Sequence, residues 1–146
     1  MKYICILIAL TAITTQKSFA VDDYKKSSEC NANQTSINRC ARDEFEYYDK
    51  IVNDLLQKQI DYLKIHDEYK IRVNFNPADD RLKFLKNSQE VWVRYRDADC
   101  LYMAGPKESS GSIWGLNYYG CMSERTKTRA IDLENYVNCR ENGCPL

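Results

Sequence analysis

From Thr35 to Ile71 apolar residues recur every three to five positions: Ile37, Ala41, Phe45, Tyr48, Val52, Leu55, Ile60 and Leu63, with charged residues between them. That is the spacing of one face of an α-helix, and it predicts a long first helix over about 35–71. Thr35 or Asn33 can cap its start with a side-chain oxygen. "VNFNPADD" interrupts the pattern. Pro77 then suits the first turn of a second helix, with Asp79 and Asp80 beside its positive end, running to about Met103. "AGPKESSGSIWG" reads as a loop, and a third helix follows from about Leu116 or Tyr118 to Asn138. Apart from Pro77, the five glycines and three prolines sit within residues 105–120 and at the C-terminus, so nothing breaks the long charged stretches. The pattern predicts an all-α, disulfide-stapled antiparallel three-helix bundle with a long first helix and no internal repeats.

The first twenty residues do not fit that bundle. Lys2 precedes an apolar run, Ile4–Ile13, that is shorter than the roughly 20 residues of a spanning helix. Ser18-Phe19-Ala20 places small residues where a signal peptidase requires them. We therefore expect residues 1–20 to be a cleaved export signal and residues 21–146 a single domain, periplasmic or secreted. Cys5 is too early for a lipid-anchoring cysteine, and Cys30 follows Ser-Ser-Glu rather than a small apolar lead-in, so no membrane anchor is expected.

Export changes the meaning of the cysteines. Of seven, Cys5 leaves with the signal, and Cys30, Cys40, Cys100, Cys121, Cys139 and Cys144 remain. An even set in an exported chain implies disulfides. Cys139 and Cys144 follow one another at the end of the third helix and pair by elimination, the other four falling at the opposite end of the bundle. Cys100 and Cys121 flank the loop, which leaves Cys30 with Cys40. Cys40–Cys100 with Cys30–Cys121 is the alternative. Charge adds little: 21 basic residues balance 21 acidic ones, and losing Lys2 and Lys17 leaves a surplus of two acids. Nucleic acid is not an expected partner, because phosphate binding needs a basic stripe.

The stretch "EVWVRYRDADC", residues 90–100, concentrates chemically capable side chains. At helical spacing Leu85, Ser88, Gln89, Tyr95, Arg96, Asp99 and Met103 lie within about 60° of Trp92. That predicts a mixed inner face whose polar groups must be paired if buried, with Arg96 or Asp97 meeting a partner such as Arg129. Asp97 and Asp99 stand roughly 200° apart around the helix and cannot share an ion by themselves. A disulfide-bonded Cys100 offers no thiolate, and the lone His66 in "KIHDEYK" is predicted at the far end of the bundle. "HDE" lacks the second histidine of a zinc-protease motif, and no phosphate loop or serine elbow is present. Acids abound, but none forms a marked carboxylate pair. No enzyme, metal or other cofactor is expected. Asn33-Gln34-Thr35 fits a glycosylation acceptor, but reads better as a helix start.

Three blocks resemble the bacterial lysozyme-inhibitor LprI-like family. "CNANQTSINRCA" is similar to its opening, "SQEVWVRYRDADC" to its Gln-x-x-Trp-x-x-aromatic-Arg-Asp-Ala-x-Cys centre, and "CMSERTKTRAIDL" to its Cys-x4-Thr-x2-Arg-x3-Leu end. By position Gln89, Trp92, Arg96, Asp97, Cys100, Cys121, Thr126 and Arg129 match. There are departures. Gln34-Thr35-Ser36 lacks the usual acid, Arg125 replaces a leucine, and Cys139 and Cys144 are additional. The resemblance implies an exported, disulfide-bonded helical protein whose matched residues are framework, and a protein partner, with a lysozyme as one candidate. For such an inhibitor the sequence offers "GPKESSGSIWGLNYYG" as a cleft-filling loop, anchored by Ile113, Trp114, Tyr118 and Tyr119. The opposing expectation is that these aromatics fold back onto the bundle. The alternative function is an envelope or secreted interaction module with no lysozyme target, consistent with the near-neutral charge.

Overall fold

The computed structural model describes residues 21–72 and 80–142. The expected signal segment, Pro77, Asp79 and Cys144 lie outside the described residues, as does the side chain of His66. Three long helices, α1 (Gln34–Arg72), α2 (Arg81–Ala104) and α4 (Trp114–Asn142), carry the fold; α3 (Lys107–Ser110) is a single turn. Contacts between α1 and α4 climb together, from Phe45 beside Tyr119 to Gln59 beside Arg140. Those between α2 and α4 run oppositely, with Cys100 on Cys121 and Gln89 on Arg129. The bundle is therefore up-down-up, with α2 antiparallel to both neighbours. α4 packs along most of α1, whereas α2 rests mainly on α4.

Asn33 starts α1. Its Oδ1 accepts from the Ser36 backbone N–H at 3.0 Å and from the Ser36 hydroxyl at 2.9 Å, which satisfies a donor at the exposed helix end. The predicted apolar face of α1 is largely the observed one. Ala41, Tyr48, Val52, Leu55 and Leu63 are buried, and Gln59 joins them. Val52 and Leu55 meet Ala130, Leu133 and Val137 of α4 in the apolar core, with Val21, Ile51, Leu56 and Leu85 against it. The opposite half of the interior is polar and aromatic.

Three expectations need correction. α2 begins at Arg81, later than the Pro77 turn predicted; Asp80 takes the N-cap position without a side-chain cap, and its carbonyl accepts from the Phe84 N–H. α2 is also rotated relative to the face centred on Trp92. Gln89, Arg96, Cys100 and Ala104 are buried, while Tyr95 is 57% and Met103 61% exposed. The reason is that α2 leans on α4 rather than sitting between two helices, so Cys100 and Arg96 set its inner line. Finally, residues 104–115 are not a plain loop. Gly105 and Gly111, at φ 69° and 58°, bracket α3. The Ser110 hydroxyl donates to Ala104 O and the Trp114 indole to Gly105 O, so the turn is tied down and α4 starts early.

Candidate functional site

The central motif residues form one network that joins the long helices. Arg96, on α2, is buried with only 7% of its side chain exposed. Its Nη1 donates to Asp49 of α1 at 3.0 Å and to Thr126 of α4 at 3.3 Å. Its Nε donates to the neighbouring Asp97 at 2.9 Å. Thr126, fully buried, donates its own hydroxyl hydrogen bond to Met122 O at 2.6 Å. One guanidinium thus satisfies groups from all three long helices, a geometry that a planar fork of donors allows and an ammonium does not. The predicted pairing of Arg96 or Asp97 with Arg129 does not form. Arg129 donates from Nε to Gln89 Oε1 at 3.0 Å instead. Trp92 lies between the two arginines, with their guanidinium carbons 4.9 and 5.8 Å from its ring, and Arg96 also faces Phe45 at 5.2 Å.

The staples sit at the same end. Cys100 is bonded to Cys121 and Cys30 to Cys40, so the crossed alternative does not occur. Cys139 is also disulfide-bonded, its partner lying outside the described residues. Asp99, Cys100 and Cys121 lie close together, but both sulfurs are spent in the disulfide and Asp99 Oδ2 accepts from Arg125 Nε at 3.0 Å. That donor set does not fit a metal, which needs thiolates or free carboxylates. Arg125, where the motif has leucine, therefore serves as a clamp on α2.

The aromatics predicted to anchor a partner mostly turn inward. Trp114 stacks on Tyr118 at 4.8 Å and 12°, Tyr118 meets Tyr119 edge-on at 5.2 Å, and Tyr119 faces Phe45. Burial and the nearby Asp97 carboxylate raise the Tyr118 phenol above its ordinary pKa. Ile113 alone of the four stays outside, at 46% exposure. What the corner displays instead is Leu101, Tyr102 and Met103, with Tyr102 at 82% exposure. Leu101, Tyr102, Gly105, Pro106, Lys107, Glu108 and Trp114 line a shallow groove of about 540 Å³. The sequence held a signal for this surface: residues one and two places beyond a buried half-cystine point away from it on a helix. The face centred on Trp92 masked it by assigning Met103 inward.

These features define a helical, disulfide-held framework with an apolar corner and no assembled catalytic group among the described residues. The chain belongs to the lysozyme inhibitor LprI family, which it matches over residues 26–133. An uncharacterized protein of Rhizobium meliloti is 27% identical over 109 residues, covering 75% of this chain and 77% of that relative. The uncharacterized protein YecT of Escherichia coli is 24% identical over 123 residues, 82% of this chain and 74% of the relative. No solved structure matches the chain.

Proposed function

We propose that this protein is an exported inhibitor that blocks the cleft of a lysozyme or related wall hydrolase. Export is supported by the leader-like residues 1–20 and by the disulfides Cys30–Cys40 and Cys100–Cys121, bonds that persist in oxidising compartments. The observation that carries the reading is the family match, joined to a corner whose backbone is held by Cys100–Cys121 while Tyr102 stands almost fully exposed. A rigid body presenting an aromatic suits insertion into a saccharide cleft, because little is ordered on binding. Leu101 and Trp114 line the same groove as Tyr102, and Tyr118 stacks on Trp114.

The test is a titration of oxidised protein, residues 21–146, against c-, g- and i-type lysozymes with cell-wall turbidity as readout. Inhibition of one class near stoichiometry is expected. Tyr102→Ala should weaken it at least tenfold with unchanged stability, whereas Trp114→Ala should lower stability as well. Absence of inhibition with all three classes by folded protein would overturn the reading. The second reading, an envelope interaction module, draws on the small acidic surplus of the chain beyond residue 20. A blocker of strongly cationic lysozymes would carry more acid.

A further inference from the structure

The N-terminal segment is sewn onto the bundle. The Tyr24 N–H donates to the Tyr48 hydroxyl at 3.1 Å, Lys127 pairs with Asp23, and Lys26 pairs with Glu44 at 3.0 Å. At its head, the backbone nitrogen of Val21 lies 3.2 Å from Oε2 of Glu134, on α4. Glu134 is 8% exposed and lies between Leu133 and Val137 of the apolar core, against which the Val21 side chain packs. A buried carboxylate is costly unless a strong donor or a cation meets it. In the unprocessed chain Val21 supplies a single neutral amide. Yet Val21 is the residue that the Ser18-Phe19-Ala20 motif would expose as a new terminus. Two independent observations, one in the sequence and one in the packing, fall on the same atom.

We infer that the pocket around Glu134 is a binding site for the chain's own processed N-terminus: cleavage after Ala20 creates an α-ammonium at Val21 that forms an ion pair with Glu134. The inference rests on the export reading above. Hydrolysis of the Ala20–Val21 bond by a signal peptidase consumes one water and leaves a carboxylate on Ala20. It leaves an amine on Val21, which takes a proton from solvent at neutral pH. The neutral amide becomes a charged group with three donors facing the same carboxylate. The charged side chains around it are Asp22, Asp54, Lys58 and Glu134, three acids and one base, with the Tyr47 phenol at the edge. That balance favours a cation. The strap fixes the register, since a terminus one residue earlier carries its charge about 3.8 Å along the chain. Cleavage thus does more than release the protein; it completes the core where α1, α4 and the strap meet.

The test uses intact exported protein and four purified chains: one beginning at Val21, one beginning at Ala20, and each again with Glu134→Gln. Mass analysis of the exported protein should give a start at Val21. The Val21 chain should melt at least about 4 °C above the Ala20 chain, and Glu134→Gln should reduce that difference to under about a degree. NMR titration should place the Val21 α-amine above its usual range of about 7.7–8.0, with Glu134→Gln restoring it. A different start in the exported protein overturns the cleavage step. Equal melting of the Val21 and Ala20 chains, or a difference that survives Glu134→Gln, overturns the ion pair. If Glu134→Gln does not fold, the Val21 and Ala20 comparison and the amine titration still decide. Neither result depends on lysozyme inhibition, so failure of the inhibitor reading is separately visible.

Discussion

Arg96 is a charged side chain that a buried position would ordinarily reject, and it is kept because it meets three helices at once. Its acidic partners are not buried with it: the side chains of Asp49 and Asp97 are 38% and 44% exposed. When Arg96 is removed these carboxylates return to water, so what is lost is mainly packing, the hydrogen bond to Thr126 and the contact with Trp92. Arg96→Ala should cost about 3 kcal/mol and Arg96→Met about half that, since a long apolar side chain refills the space. Urea unfolding of both variants checks the order; equal losses would show that charge, not volume, matters. Gln89 and Arg129 behave differently because both are buried, and Arg129 Nη2 has no hydrogen-bond partner among the described residues. Gln89→Ala strips the Nε partner as well and should cost about 2–3 kcal/mol. In the Arg129→Met background the same change should cost under about 1 kcal/mol, a coupling that a double-mutant cycle measures.

The long helices were legible in the sequence because their signals are local: a 3.6-residue apolar period in α1 and an uninterrupted run of good helix formers. The rotation of α2 was not legible, because it depends on which neighbour it leans on. Trp92 looks like a face centre by size, yet it sits at an edge, with Cys100 and Arg96 fixing the inner line. The same blind spot hid Tyr102, and it left open whether Trp114, Tyr118 and Tyr119 reach outward or fold back, which the ring contacts among them and with Phe45 decide only in three dimensions. Disulfide pairing was partly legible, since loop length separated Cys100–Cys121 from the crossed alternative only once the helix directions were fixed. With a separation of 21 residues, that bridge should contribute roughly 3 kcal/mol through the unfolded chain. Replacing Cys100 and Cys121 together by alanine should therefore lower stability by about that amount. It should also speed hydrogen exchange in residues 97–121 more than in the middle of α1. Uniform acceleration through the bundle would show that α2 and α4 do not open locally at this end.

Taken whole, the molecule combines a small apolar core with many charges, so its stability should respond to pH through a few well-placed groups. Two are identifiable, and both act in the same direction. The Tyr118 phenol is raised above its ordinary 10.0, first by burial and then by the Asp97 carboxylate, with Arg96 opposing. The fold therefore holds its neutral form. Between about pH 10 and the higher folded value, the folded chain keeps a proton that the unfolded chain has lost, and stability falls as pH rises. The Lys127 ammonium is raised above 10.5, chiefly by its hydrogen bond to Asp23. Its contribution is complete below 10.5 and is lost as pH climbs through the folded value. Because Lys127 ties the N-terminal strap to α4, that loss should free the strap before the bundle opens. Urea midpoints should thus fall between pH 9.5 and pH 11.5. Tyr118→Phe should flatten part of that fall, and Asp23→Asn should remove the part that accompanies release of the strap, seen as early hydrogen exchange at the Tyr24 amide. An alkaline slope unchanged by both substitutions would assign it to other groups and leave the strap's pairing with Lys127 without energetic weight.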